Sequence, residues 1–207
     1  MNTDELRQRI SDAAIVPILM ADDDDPAVAV IIADALVEAG TTVIEVLFRS
    51  PRAPDALAEI KRRHPSVLLA AGTVLDAEAV ARAEAAKADF MVSPGFSPVL
   101  HAAAQAASIP LVPGVNTASE VQHARELGYL LQKSYPAWDH GHERLSEFAA
   151  IYPEVSFLVT GGLVSASVSD FARHRNVAAL GGTWMVKSAA AMAGLAGDLE
   201  AFHAARS

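Results

Sequence analysis

Eight short apolar runs recur along the chain, each followed by a turn and then an Ala-rich stretch. They are IVPILM (15–20), TVIEVLF (42–48), VLLAAGT (67–73), DFMVSPG (89–95), IPLVPGV (109–115), YLLQKSYP (129–136), VSFLVTGG (155–162) and VAALGG (177–182). Near-continuous apolar runs that alternate with helices are the pattern of a parallel sheet covered on both faces. The ends of the runs, near Met20, Glu45, Gly72, Ser93, Gly114, Lys133, Thr160 and Gly181, are 25, 27, 21, 21, 19, 27 and 21 residues apart. Each step holds one strand, one helix and two short loops. Eight such units predict an α/β chain folded as a (β/α)8 TIM barrel, with an extra N-terminal helix over residues 1–12. Residues 1–207 read as one barrel domain, without a linker or low-complexity segment. A doubly wound open sheet fits less well, because its first crossover is Gly-rich and cradles phosphate. Here that turn is MADDDDP, with no Gly and four acids that repel an anion.

The stretches between the runs carry helix punctuation. Asp25 and Pro26 predict an N-cap and a first-turn proline, and Gly40 a stop. Ser97 and Pro98 repeat the device, Asp76 caps the next helix, and Thr117 with Glu120 reads as a capping box. Residues 186–204 read as the helix after the last strand.

Composition removes whole classes of function. The 207 residues include no Cys, so disulfides, Cys zinc sites and thiol nucleophiles are excluded. The net charge of −9 opposes nonspecific nucleic-acid binding, which needs a basic face. No run reaches the roughly 20 apolar residues of a membrane span, and the polar start does not resemble a signal peptide. The expectation is a cytoplasmic protein with no nucleic-acid or membrane partner.

In a barrel, function gathers where the strands end and the βα loops begin. Two runs carry ionisable groups there. Period-2 alternation puts Val43, Glu45, Leu47 and Arg49 on one face, and Leu131, Lys133 and Tyr135 on another. A charge inside a buried strand must be paired or must titrate. One reading is a structural Glu45–Lys133 ion pair. The other is chemical: burial favours the neutral, nucleophilic amine of a lysine, and a nearby carboxylate shuttles protons. A nucleophilic lysine with an acid/base glutamate is the minimum equipment for Schiff-base chemistry on a ketone.

The last two strands end in Thr160-Gly161-Gly162 and Gly181-Gly182-Thr183. Glycines let backbone N–H groups approach an anion, and loops after strands 7 and 8 bind phosphate in many barrels. Tight turns alone would also explain such pairs. No metal site is expected. His140 and His142 form an HxH pair, but they lie in a loop sequence without a third ligand at suitable spacing. The acids of 22–25 cannot converge on one ion. Lys187 reads as a solvated first-turn residue, and Trp184 and Met185 as packing residues.

These pieces resemble the 2-keto-3-deoxy-6-phosphogluconate (KDPG) and 2-keto-4-hydroxyglutarate (KHG) aldolase family. The match runs from about residue 13 to about 188 in order and spacing. It comprises VPILM, IEVLFR with Glu45 and Arg49, AAGTVL with Thr73, SPGFSP with Pro94, PLVPGVNTASE, KSYPA from Lys133, TGG and GGTWMV. The resemblance implies that Lys133 forms a Schiff base with the keto acid and that Glu45 moves protons. It implies that Arg49 and Thr73 hold the pyruvyl carboxylate, that Pro94 lines the pocket and that Tyr135 stacks over the imine. Thr160 would bind substrate, and Gly161, Gly162, Gly181, Gly182 and Thr183 would form the phosphate end. It also implies a homotrimer, and no cofactor. The chain departs from the family pattern at Leu47, Asn116, Ser134, Trp138, Asp139 and Val159, which puts the aldehyde partner in question.

Three functions are therefore weighed. The first is a class I aldolase cleaving KDPG, or its galactonate epimer, to pyruvate and glyceraldehyde 3-phosphate. The second is a KHG aldolase with an unphosphorylated aldehyde partner. The third is a barrel that binds a sugar phosphate without covalent chemistry, as an isomerase or binding protein.

Overall fold

The computed structural model describes residues 1–21 and 25–206, apart from the side chains of Asp139 and His140. Residues 22–24, most of the four-acid run, lie outside the described residues. Nine parallel strands run in chain order: β1 (Ile15–Met20), β2 (Val43–Leu47), β3 (Leu68–Gly72), β4 (Phe90–Val92), β5 (Leu111–Val112), β6 (Gly114–Val115), β7 (Leu131–Ser134), β8 (Ser156–Thr160) and β9 (Val177–Gly182). Every one of the eight apolar runs becomes strand, and the fifth is split in two. Pro113 divides β5 from β6 because it has no N–H to give the ladder. Its carbonyl still accepts from the Lys133 N–H at 2.8 Å. The sheet order is β5-β4-β3-β2-β1-β9-β8-β7-β6. Since β5 and β6 are consecutive in the chain across Pro113, the two ends of that order meet. The result is a (β/α)8 barrel, as the spacing predicts.

Alternation sorts the strand side chains into two apolar layers. Val16, Val43, Leu68, Ala70, Phe90, Val92, Val112, Leu131 and Leu158 fill the barrel. Ile15, Leu19, Ile44, Val46, Leu69, Met91 and Phe157 pack outward under the helices. The extra helix α1 (Thr3–Ala13) closes the N-terminal end. Its Leu6 and Ile10 join the inner cluster, and burying each stabilises the fold by about 2 kcal/mol. Arg7 and Arg9 fasten it by donating to the carbonyls of Glu154 and Ser66, in the loops that lead into β8 and β3.

The outer helices are α2 (Ala27–Glu38), α3 (Ala53–Arg63), α4 (Ala77–Ala85), α5 (Pro98–Ala106), α6 (Ala118–Glu126), α7 (Ala137–His140), α8 (Glu143–Ile151), α9 (Val168–Ala172), α10 (Ala189–Ala193) and α11 (Leu195–Ala204). The caps predicted at Asp76 and Ser97 are present, and Thr117 with Glu120 forms the capping box. α2 starts one residue later than expected, with Pro26 at the N-cap position, but Asp25 still accepts the Ala27 N–H at 3.0 Å. The single helix expected over 186–204 is three pieces: a 3-10 turn (Trp184–Val186), α10 and α11. Ser188 caps α10, and Gly194 ends it and starts α11. The turn buries Trp184 and Met185 and α11 buries Leu195, Asp198 and Phe202, whereas α10 buries none.

Candidate active site

Glu45 on β2 and Lys133 on β7 stand on opposite walls. Counting β5 and β6 as one strand, four steps separate β2 from β7 in either direction round the sheet. Both side chains point inward and meet, with Lys133 Nζ 3.3 Å from Glu45 Oε1. Glu45 is 0% exposed and Lys133 5%. The other carboxylate oxygen, Oε2, is buried and has no hydrogen-bond partner among the described residues. A buried acceptor left open in this way costs stability, so the arrangement is not the cheapest way to fill a core.

Gly72 makes room for this pair, and Gly114 for the turn after β4. A Cβ on Gly72 would fall 2.2 Å from Glu45 Oε1. A Cβ on Gly114, the ladder partner of Lys133, would fall 2.3 Å from the carbonyl carbon of Pro94. Gly114 therefore lets the Ser93-Pro94-Gly95 turn press over the strand end. Ser93 secures the turn by donating to the Gly95 carbonyl at 2.6 Å and accepting the Gly114 N–H at 3.3 Å. The signal was a glycine at a strand end in each case, legible only once the facing strand is known.

The loop after β2 carries Arg49, and the loop after β3 carries Thr73. Arg49 Nε donates to Thr73 Oγ1 at 3.2 Å. Thr73 adopts φ 62°, a left-handed conformation that is costly for a β-branched residue. The strain is held at the barrel mouth, where it aims the hydroxyl at the guanidinium. Pro94, in the turn after β4, is half-buried.

Tyr135 flanks the lysine, with its ring centroid 5.4 Å from Lys133 Nζ. The ring leans on Gly161, where a Cβ would lie 2.9 Å from Cδ2. Gly161 and Gly162 take φ 99° and 76°, which suits only glycine. Trp138 covers Gly162, its indole 2.7 Å from a Cβ there, and the Trp138 backbone N–H donates to the Gly161 carbonyl at 3.2 Å. The Trp138 side chain is left 70% exposed at the mouth. Thr160 points into the barrel, 1% exposed, with Oγ1 unpartnered among the described residues.

The Gly181-Gly182 pair divides its work. Gly181 faces inward, where a Cβ would press the Thr160 methyl at 2.9 Å. Gly182 faces outward, where a Cβ would lie 2.3 Å from the Trp184 ring. The second glycine is thus required by packing, whatever its N–H binds. Thr183 is half-buried at the start of the Trp184–Val186 turn, and Lys187 is exposed. Among the described residues no three His, Asp or Glu side chains gather where they could hold a metal. His140 of the HxH pair lies outside the described side chains.

Comparison with known proteins agrees with this geometry. The family described as Aldolase, KDPG and KHG aldolase, matches residues 6–201. A 2-dehydro-3-deoxy-phosphogluconate aldolase from Treponema pallidum is 36% identical over 181 residues, covering 87% of this chain and 85% of that protein. The crystal structure of the KDPG aldolase from Zymomonas mobilis superposes with a TM-score of 0.86 at 33% identity, covering 98% of both chains. The KDPG aldolase from Legionella pneumophila, captured with pyruvate as a covalent carbinolamine intermediate, gives a TM-score of 0.84 at 31% identity, covering 97% of this chain and 98% of that one. A buried Glu–Lys pair spanning a (β/α)8 barrel, a match across nearly the whole sequence and a shared fold lead to one conclusion: the chain belongs to the KDPG and KHG aldolase family.

Proposed function

We propose that this protein is a class I aldolase that reversibly cleaves KDPG to pyruvate and glyceraldehyde 3-phosphate. The observation that carries this reading is the Glu45–Lys133 contact at 3.3 Å across the barrel. Lys133 Nζ attacks the C2 carbonyl, and the carbinolamine loses water to give an iminium. Glu45 accepts and returns the protons of these steps, with Oε1 on the amine and Oε2 buried and without a partner among the described residues. The C4 hydroxyl then gives up its proton, the C3–C4 bond breaks and its electron pair enters the iminium as an enamine. The aldehyde leaves. The enamine takes a proton at C3, and water hydrolyses the resulting imine to free pyruvate and the amine.

Arg49 and Thr73 hold the pyruvyl carboxylate, and the strained Thr73 backbone supports this by presenting its hydroxyl beside the guanidinium. Pro94 and Tyr135 wall the pyruvyl half. Thr160, Gly161, Gly162, Gly181, Gly182 and Thr183 take the aldehyde and its phosphate. In this reading the chain acts in the cytoplasm as one barrel domain within a homotrimer. No helix among the described residues is long and apolar enough to cross a membrane. Apolar side chains left bare at Met20, Ile31, Leu75 and Val99 support burial against a second subunit.

Incubation with pyruvate followed by borohydride should add one reduced pyruvyl group to Lys133, read by peptide mass. A folded protein with no adduct would refute the aldolase and leave a non-covalent sugar-phosphate barrel. Cleavage of KDPG with a much higher kcat/KM than KHG supports the phosphorylated substrate, and the reverse order makes this a KHG aldolase.

A further inference from the structure

We infer that Asp198, on the C-terminal helix α11, is a positioning residue that clamps together the two loops assigned to the aldehyde phosphate. Its carboxylate is 5% exposed and uses both oxygens. Oδ1 accepts from Ser165 Oγ, three residues beyond Gly162. Oδ2 accepts from Trp184 Nε1 at 2.8 Å, one residue beyond Thr183. One side chain thus ties the turn that follows Thr160-Gly161-Gly162 to the turn that follows Gly181-Gly182-Thr183. No cation pairs with it among the described residues, so these two neutral donors carry its desolvation.

The attachments at each end are tight. The Trp184 ring occupies the space that a Gly182 side chain would need, so fixing the indole N–H fixes the backbone of the Gly182-Thr183 step. On the other side, Ser167 closes the 164–167 turn by donating to the Val164 carbonyl at 2.7 Å and accepting its N–H at 3.1 Å. Ser165 sits within that turn. Asp198 therefore holds both turns against one rigid helix. Loops that bind an anion through backbone N–H groups must be held at fixed separation, because small displacements weaken several hydrogen bonds at once. The negative charge itself opposes a phosphate nearby. What the site needs from Asp198 is its acceptor geometry, not its charge.

This inference rests on the phosphate end proposed above, and one set of measurements separates the two. For wild type, Asp198→Ala, Asp198→Asn, Ser165→Ala and Trp184→Phe, kcat and KM are measured for KDPG and for KHG. Exchange of the pyruvate methyl protons with deuterium is followed by NMR, since it needs Lys133 and Glu45 but no aldehyde. Asp198→Ala should raise KM for KDPG at least about tenfold, with KHG cleavage and proton exchange changed less than about twofold. Ser165→Ala and Trp184→Phe should each give part of that rise, and serve if Asp198→Ala does not fold. Asp198→Asn, which keeps an acceptor for the indole and a polar partner for Ser165, should restore KM for KDPG to near the wild-type value. If wild type itself shows no preference for KDPG, the phosphate end is wrong and the clamp falls with it. If wild type prefers KDPG and all the folded variants keep that preference, the clamp alone is overturned. A proportional fall in KDPG cleavage, KHG cleavage and proton exchange would also overturn it, by showing a general structural role.

Discussion

The barrel mouth divides into a strand half, made of side chains that reach inward, and a loop half, made of backbone where β8 and β9 run out into turns. Glu45 and Lys133 project from the inner faces of β2 and β7, with Gly72 clearing space beside the carboxylate. Strands locked on both sides by a parallel ladder set such groups within tenths of an ångström, which covalent chemistry requires. The loop half, between these two walls, consists of Thr160-Gly161-Gly162 and Gly181-Gly182-Thr183, whose glycines serve by positive φ or by absence of a side chain. Beyond Thr160 and Gly182 the ladder stops, so the turns depend on anchors elsewhere: Tyr135 and Trp138 against Gly161 and Gly162, and Trp184 against Gly182. Reaction type should therefore follow the strand half, and partner choice the loop half. The departures from the family pattern at Trp138 and Ser134 fall beside the loop half and on β7, leaving Glu45, Arg49 and Lys133 untouched.

The sharpest way to break this division is Lys133→Met. It should lower kcat at least about 10⁴-fold for every aldehyde partner and abolish the borohydride adduct, because no other amine can form the iminium. Retention of the adduct on another lysine would remove Lys133 from its role. Next in size is Gly72→Ala. Its methyl would sit 2.2 Å from Glu45 Oε1, so the carboxylate must move. We expect a fall in kcat of about 10²-fold, with a stability cost of about 1–3 kcal/mol by denaturant unfolding. Unchanged kcat would mean that the position of Glu45 is not critical.

A smaller effect tests whether the carboxylate grip, carried on the loop after β2, ignores the aldehyde. Arg49→Ala should raise KM about tenfold for KDPG and KHG alike, since the guanidinium is assigned to the carboxylate that both substrates share. A rise confined to KDPG would place Arg49 at the phosphate instead. The smallest change touches neither half. Thr117→Ala removes one side of the capping box and should cost about 1 kcal/mol of stability with kcat unaltered. The same box gives a pH signature. Burial pushes the Glu120 carboxyl up, but the N–H groups of Asn116 and Thr117 outweigh it and hold the group below the ordinary value of 4.5. Its folded form binds protons less readily than its unfolded form. The stability it adds is therefore full above about pH 5 and is lost as the pH falls through the folded value. Glu120→Gln should flatten that part of an acid unfolding curve.

Much of this was legible in the residues. The apolar runs announced eight strands because burial on both faces leaves no polar alternation. Asp76, Ser97 and Thr117 announced helix starts because a cap acts within three residues of itself. Glu45 and Lys133 stood out as charges where the core should be uncharged. The rest was hidden for reasons of distance. Pro113 was visible, but its splitting of one strand into β5 and β6 depends on which ladder N–H is missing. Gly181 and Gly182 looked alike, yet one faces the barrel and the other carries the Trp184 ring. Asp198 looked like any acid on a surface helix, because its partners lie 33 and 14 residues away in the chain.

The sequence by itself determined the repeating unit, the caps and the two charges set among core residues, since these depend on neighbours within a few residues. Only the tertiary structure decided that Glu45 and Lys133 are a pair. They lie 88 residues apart on opposite walls, and no local pattern encodes a contact across a closed barrel. Closure is a property of all the strands together. It turns two separately costly charges into one site, and it brings a helix at the end of the chain against two loops that the sequence keeps apart.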